Sequence, residues 1–299
     1  MKPADNAFAR EAIEAKGWWG AHRWLVLRRL MQLGVLALFL VGPWFGWWVV
    51  KGNLNYSLTL GTLPLADPLV MLQSLVTSHA PERNAIIGMG IVLAFYLLVG
   101  GRVYCAWVCP VNVVTDAASA LRRKLDIRGG GDMPRQTRYW ILALILVLAA
   151  TTGGIVWELV NPVSLLPRGL IFGMGAGWLL IGGIFLFDLF VMKRGWCGHL
   201  CPVGAFYSLL GRWSLVRVSA TKREACNNCL DCFVVCPEQQ VIRLPLKGAS
   251  KGVGPMILDS NCSNCGRCID VCSKDVFTFV PRFAPNEAPS PGTGLLPPQ

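Results

Sequence analysis

Long apolar runs alternate along this chain with short basic segments. Four runs, at residues 30–50, 85–103, 139–157 and 170–192, are apolar over a membrane-spanning length. As helices they would cross a hydrocarbon layer of ~30 Å. The polar segments between them differ in Lys and Arg content: residues 1–29 carry six, 51–84 two, 104–138 six and 158–169 one, and several more follow Met192. Basic loops stay on the cytoplasmic side, so the pattern predicts both termini and the 104–138 loop there. Trp44, Trp47 and Trp48 would form an outer aromatic belt, with Trp18, Trp19 and Trp24 near the inner one.

The two halves of this apolar region repeat. Asp67-Pro68-Leu69 leads into the second run and Asn161-Pro162-Val163 into the fourth; each is followed by a basic residue and C-x-x-x-C-P, at 105–110 and 197–202. Amphipathic stretches at 111–125 and 203–217 come next and read as helices lying in the interface. The pattern predicts an α-helical membrane domain at 30–217, built as a duplicated hairpin after an N-terminal cytoplasmic segment at 1–29. Near residue 218 the character changes. Residues 218–283 read as a soluble α+β domain, and 284–299, rich in Pro and Gly, as a disordered tail.

Composition narrows the class. Of 299 residues, 54% are hydrophobic and 15% charged, which suits a membrane protein. The net charge of +11 belongs to segments beside the apolar runs, so it reads as an orientation signal and no nucleic-acid partner is expected. No small-residue cleavage site follows the first run, which is therefore read as a retained helix with Arg28-Arg29 as its basic flank. Twelve cysteines are many for such a chain, and their tight repeated spacings point to metal or cluster ligation.

Eight of the twelve form two copies of C-x2-C-x2-C-x3-C, at Cys226, Cys229, Cys232 and Cys236 and at Cys262, Cys265, Cys268 and Cys272. This is the spacing of bacterial two-cluster ferredoxins. Three thiolates on a short loop hold three corners of a [4Fe–4S] cubane, and the fourth points away and completes the other cluster. One cluster is thus assigned to Cys226, Cys229, Cys232 and Cys272, the other to Cys262, Cys265, Cys268 and Cys236. Zinc knuckles use C-x2-C too, but leave the third cysteine and the x3-Cys without a role. Cys272 is followed by Ser273 where the first motif has Pro237.

The remaining four, Cys105, Cys109, Cys197 and Cys201, sit as i, i+4 pairs on one helical face, each ended by proline. Brought together by the repeat, they offer four thiols for a further metal or cluster, a redox disulfide or a relay; the alternative is a set of small buried apolar groups. Three histidines, none in mid-run, and no C-x-x-C-H give no support to haem, and neither a G-x-G-x-x-G after a strand nor a Walker A motif occurs. His199, between two of the cysteines, is either a ligand or an interfacial residue. Asp188 in the fourth run is expected to pair with Lys193 or Arg194. Asp67, His79 and Glu158, on or near the outer face, are surface residues or quinol proton acceptors.

Four apolar runs, two C-x-x-x-C-P motifs and a C-terminal pair of C-x2-C-x2-C-x3-C motifs, in this order over residues 20–280, resemble the NapH family of ferredoxin-type membrane proteins. The resemblance implies a quinol dehydrogenase component that takes electrons from membrane quinol through iron–sulfur clusters. They would pass to a periplasmic NapG-type partner and on to periplasmic nitrate reductase. With clusters on the cytoplasmic side and an acceptor in the periplasm, it also implies an electron route across the bilayer. Other readings are an electron donor for copper-oxidase or nitrous-oxide-reductase maturation, which short outer loops argue against, and an iron–sulfur sensor that does not turn over.

Overall fold

In the computed structural model, residues 9–78, 81–127, 129–173, 175 and 177–284 are described. His79 and residues 285–299 of the expected tail lie outside that set. The first helix, α1, covers Arg10–Phe45, with a break at Gly17, where φ is 72°, and a left-handed end at Gly46. It is the one helix among the described residues long and apolar enough to cross a membrane by itself. It also starts twenty residues before the expected run, so most of the anticipated N-terminal segment is helix. The segment after it holds an antiparallel meander, β1 (Val50–Gly52), β2 (Tyr56–Thr59) and β3 (Leu63–Ala66), which the apolar pattern did not indicate.

The two repeated halves then follow. In the first, Asp67 caps α2 (Pro68–Val76) by accepting from the N–H groups of Leu69 and Val70, with Pro68 in the first helical position. Next come α3 (Arg83–Val99), a π-helical turn at Tyr104–Val108 carrying the first cysteine pair, and α4 (Val111–Lys124). The connecting α5 (Thr137–Thr152) and α6 (Val156–Leu159) lead to the second half. There Asn161 caps α7 (Pro162–Phe172) through the Val163 N–H; α8 (Gly177–Leu186) runs into a π-helical turn at Phe187–Val191, and the second cysteine pair sits in a π-helical turn at Trp196–Leu200. Pro202 then opens α9 (Pro202–Leu210).

Three expectations change here. The lead-in motifs do not enter the long helices directly: each caps a short helix of its own, and the expected 170–192 span is broken between Phe172 and Gly177. The cysteine pairs lie on separate turns, beyond the long helices. In the stretches after each proline, α4 packs along α8 and α9 along α5. Alongside α1, α4 runs antiparallel: Gln32 meets Asn112, and one turn earlier Arg29 meets Asp116. Proline follows each π-helical turn and stands at the start of the next helix, Pro110 before α4 and Pro202 opening α9.

The C-terminal domain is closed by β4 (Val216–Ser219), which pairs antiparallel with β5 (Thr278–Pro281). Between them lie α10 (Asp231–Val235), α11 (Gln240–Lys247) and α12 (Arg267–Asp270). Val218, Val241, Ile242, Ile257, Val276 and Phe277 form its core, against which the cluster-motif residues Cys232 and Cys268 pack. The domain is clamped to α1, whose early turns act as a strut. Lys16 Nζ donates to the Ile269 carbonyl at 3.0 Å, and the Trp24 and Leu25 N–H groups donate to the Asp270 carboxylate.

Candidate iron–sulfur sites

Each C-x2-C-x2-C loop winds through two left-handed residues in matching places, Asn228 and Leu230 in the first and Asn264 and Gly266 in the second. That winding turns three sulfurs inward from seven residues. At Gly266 the conformation and the packing both exclude a side chain, since a Cβ would overlap Trp24 of α1. The loops line two separate cavities. Cys226, Cys229, Cys232 and Cys272 line the first, with Leu246, Val271 and Phe277 around them. Cys262, Cys265, Cys268 and Cys236 line the second, beside Val218, Val241 and Ile257. Each cavity thus takes three sulfurs from one motif and the last from the other. All twelve cysteines are free thiols. No His, Cys, Asp or Glu group among the described residues closes to single-ion dimensions. A cubane holds its four ligands around a larger body, so four-thiol cavities with apolar walls fit one.

The C-x-x-x-C-P thiols converge as well. Cys109 lies within electrostatic reach of Cys105 and Cys201, and Cys197 of the other three. Thr115 Oγ1 is 3.8 Å from Cys197 Sγ. Behind the thiols stand three tyrosines, Tyr96, Tyr104 and Tyr207, with the last two stacked at 4.8 Å between ring centroids. The apolar pattern contains no signal for this trio, because the tyrosines come from three different elements. This set meets the C-terminal domain directly: Trp107 Nε1 donates to the Asn264 carbonyl at 3.1 Å, between Cys262 and Cys265.

Two buried carboxylates organise that junction, and sequence reasoning passed over both. Glu238, two residues after Cys236, is 1% exposed and accepts from Arg102 at 2.5 Å, from Arg138 at 3.2 Å and from Arg135. Arg102 also donates to the carbonyls of Asn261 and Cys197, and Arg138 to the Gly198 carbonyl. Asp116 on α4 faces Arg28, Arg29, Arg194 and Arg267. Burial by itself would raise the Asp116 carboxyl, yet the charges of Arg267 and Arg194 outweigh it and hold the group well below the ordinary carboxylate range. Cys265 behaves similarly: burial pushes its thiol up, while Arg267 and Arg28 bring it below the usual value. The visible signal was the basic residue ahead of each C-x-x-x-C-P, Arg102 and Arg194, whose partners only the fold supplies.

Other candidates have structural partners. Asp188 is buried and accepts from the Trp196 N–H at 2.9 Å. Arg194 gives its ion pair to Asp116, and Lys193 donates to the Val234 carbonyl, so the expected pairing of Asp188 with either gives way. Asp67 is a helix cap, and Glu158 accepts from Asn55 and Asn161, bracing the sheet against the second half. His199 is buried in the second cysteine turn.

Comparison with known proteins is decisive. The chain is 51% identical to the ferredoxin-type protein NapH of Escherichia coli over 92% of this chain and 95% of that protein. It is 50% identical to NapH of Haemophilus influenzae, over 95% of this chain and 98% of that one. It belongs to the NapH family of ferredoxin-type proteins. The chain is also similar to the methylamine utilization ferredoxin-type protein MauN of Methylorubrum extorquens, 52% identical over 91% of this chain and 94% of that protein. A 4Fe-4S dicluster domain model matches residues 225–276, and a 4Fe-4S binding domain model matches residues 84–128 and 174–220, which contain the two C-x-x-x-C-P motifs. No solved structure matches. This NapH-family chain therefore carries iron–sulfur binding domains of the electron-transfer type.

Proposed function

We propose that this protein is a multi-pass membrane electron carrier that oxidises quinol and delivers electrons toward a NapG-type iron–sulfur partner and periplasmic nitrate reductase. The observation that carries the electron-transfer reading is the pair of cavities, each lined by three cysteines of one motif and one of the other. We assign two [4Fe–4S] clusters to them and a third cluster to Cys105, Cys109, Cys197 and Cys201, whose convergence and match to a 4Fe-4S binding model support it. When bound, such clusters supply one-electron redox couples. The chain's own residues hold the sulfurs apart, shield them with apolar walls, and keep the second cavity and the four helix-bundle thiols in one junction through Trp107, Arg102 and Glu238.

The Lys and Arg distribution supports cytoplasmic termini, and of the four shorter apolar helices three, α3, α5 and Gly177–Val191, fall on the apolar runs of the sequence and with α1 support four passes, the remaining one being the short α7. The 52% identity to MauN favours a second reading in which the same carrier serves a methylamine-utilization system. The test is an iron and acid-labile sulfide count on anaerobically purified protein, followed by mixing with a quinol analogue. About twelve irons per chain supports three clusters, and about eight removes the third. Bleaching by dithionite but never by quinol would overturn the dehydrogenase reading.

A further inference from the structure

A cavity of about 400 Å³ lies at the junction of α1, α4 and the C-terminal domain, apart from the cysteine sites. That size suits a small ligand or headgroup. Ala21, Leu25 and Arg28 follow one another along one face of α1, and Val113, Ala117, Ala120 and Arg123 along one face of α4, so it is a groove between two helices. Arg29, Arg194 and Arg267 complete a wall of five guanidinium groups against two carboxylates, Asp116 and Asp270. Asp270 is already engaged by the Trp24 and Leu25 N–H groups. Asp116 is shared among four of the arginines. The four arginines that share Asp116 outnumber the two carboxylates, so the wall keeps a surplus of positive charge.

Arg28 makes this a built site. It is 0% exposed, none of its three guanidinium nitrogens has a hydrogen-bond partner, and its nearest acid, Asp116, is 3.9 Å away. The Nε atoms of Arg194 and Arg267 are also without hydrogen-bond partners. Asp116 and the Cys265 sulfur give Arg28 opposite charge but no hydrogen bond, and buried guanidinium donors left without acceptors are costly, so the groove offers those donors to an anionic group from outside.

We propose that this groove binds the phosphate headgroup of an anionic phospholipid, with the acyl chains lying along the apolar faces of α1 and α4. The apolar residues beside the arginines favour a lipid over a free anion, and basic pockets between helices at a membrane surface recognise such headgroups. The bound lipid would fasten the C-terminal domain to the bundle, because Arg267 comes from the former and Arg28, Arg29 and Arg123 from the latter.

The test uses the full-length, cluster-loaded protein purified anaerobically in neutral detergent. Phosphatidylglycerol, phosphatidylcholine or inorganic phosphate is added, and binding is read by native mass spectrometry and stability by tryptophan fluorescence on heating. Phosphatidylglycerol is expected to bind and raise the melting midpoint, and the other two to do neither. Arg123→Gln, at an exposed position, should weaken phosphatidylglycerol binding about fivefold with iron content unchanged. Arg28→Met should weaken it at least as much and, without lipid, melt no lower than the parent, since it removes buried donors that have no acceptor while Asp116 keeps three other arginines. Equal response to phosphatidylcholine, saturation by inorganic phosphate alone, or binding unchanged in both variants would overturn the proposal. Should Arg28→Met fail to fold, Arg123→Gln and the lipid comparison decide it.

Discussion

Glu238→Gln is the sharpest probe of how the two parts of the molecule are joined. The substitution keeps the side chain's shape and one acceptor oxygen but removes the charge shared by Arg102, Arg135 and Arg138. Arg102 is 4% exposed and Arg138 1%, so neither can turn to water for compensation. Breaking a buried ion pair by removing one partner costs about 3–5 kcal/mol. Arg135, 37% exposed, adds little, since exposed pairs contribute under about 1 kcal/mol. Because Glu238 belongs to the C-terminal domain and its arginines to the bundle side, the loss should fall on docking before it reaches either core. At the lower figure of about 3 kcal/mol, the undocked fraction should rise by roughly two orders of magnitude. Hydrogen exchange on the anaerobic, cluster-loaded protein would read it, with residues 261–266 and 196–200 losing protection together while the β4–β5 pair keeps its own. Arg135→Gln serves as the weak control. If Glu238→Gln changes exchange at the junction less than about fivefold, near 1 kcal/mol, the network is no more valuable than a surface pair and the reasoning fails.

Cys236→Ser should deplete the cluster of Cys262, Cys265 and Cys268 and spare the one beside its own motif, and Cys272→Ser the reverse; paramagnetic resonance on the two reduced variants distinguishes crossed from uncrossed ligation. Asp116→Asn leaves the buried Arg28, Arg194 and Arg267, and the partly exposed Arg29, around a neutral group and should cost about 3–5 kcal/mol at neutral pH in thermal melts. Because the native Asp116 carboxyl is held below the ordinary range, its contribution is fully present above about pH 5 and fades only as the pH falls through and below that range. The penalty of the substitution should therefore be constant from pH 6 to 8, to within roughly 0.5 kcal/mol, and a penalty that grows steadily across that window would contradict the assignment. Gly101→Ala places a methyl against the Tyr207 carbonyl and the Gly211 backbone, so it should cost about 1–3 kcal/mol in the same melts, and a neutral result would mean that α9 does not pack where it is placed.

The sequence by itself determined what depends on local spacing. Cysteines three positions apart can share one short loop while a fourth, four positions on, points elsewhere, so the expectation of crossed ligation came from local spacing in Cys226–Cys236 and Cys262–Cys272. Apolar runs told which segments are helical, because a helix satisfies its own backbone, and the Asp67-Pro68 and Asn161-Pro162 caps marked the repeat, although they open short helices of their own. What only the tertiary structure decided are the contacts between residues far apart in the chain. The meeting of Cys105, Cys109, Cys197 and Cys201, the tyrosines behind them, the use of early α1 as a strut, and the burial of Glu238 and Asp116 among arginines from separate helices all depend on which faces come together. A charged side chain reads the same in a sequence whether water or a guanidinium will neutralise it; burial makes that choice, and burial is a property of the assembled chain.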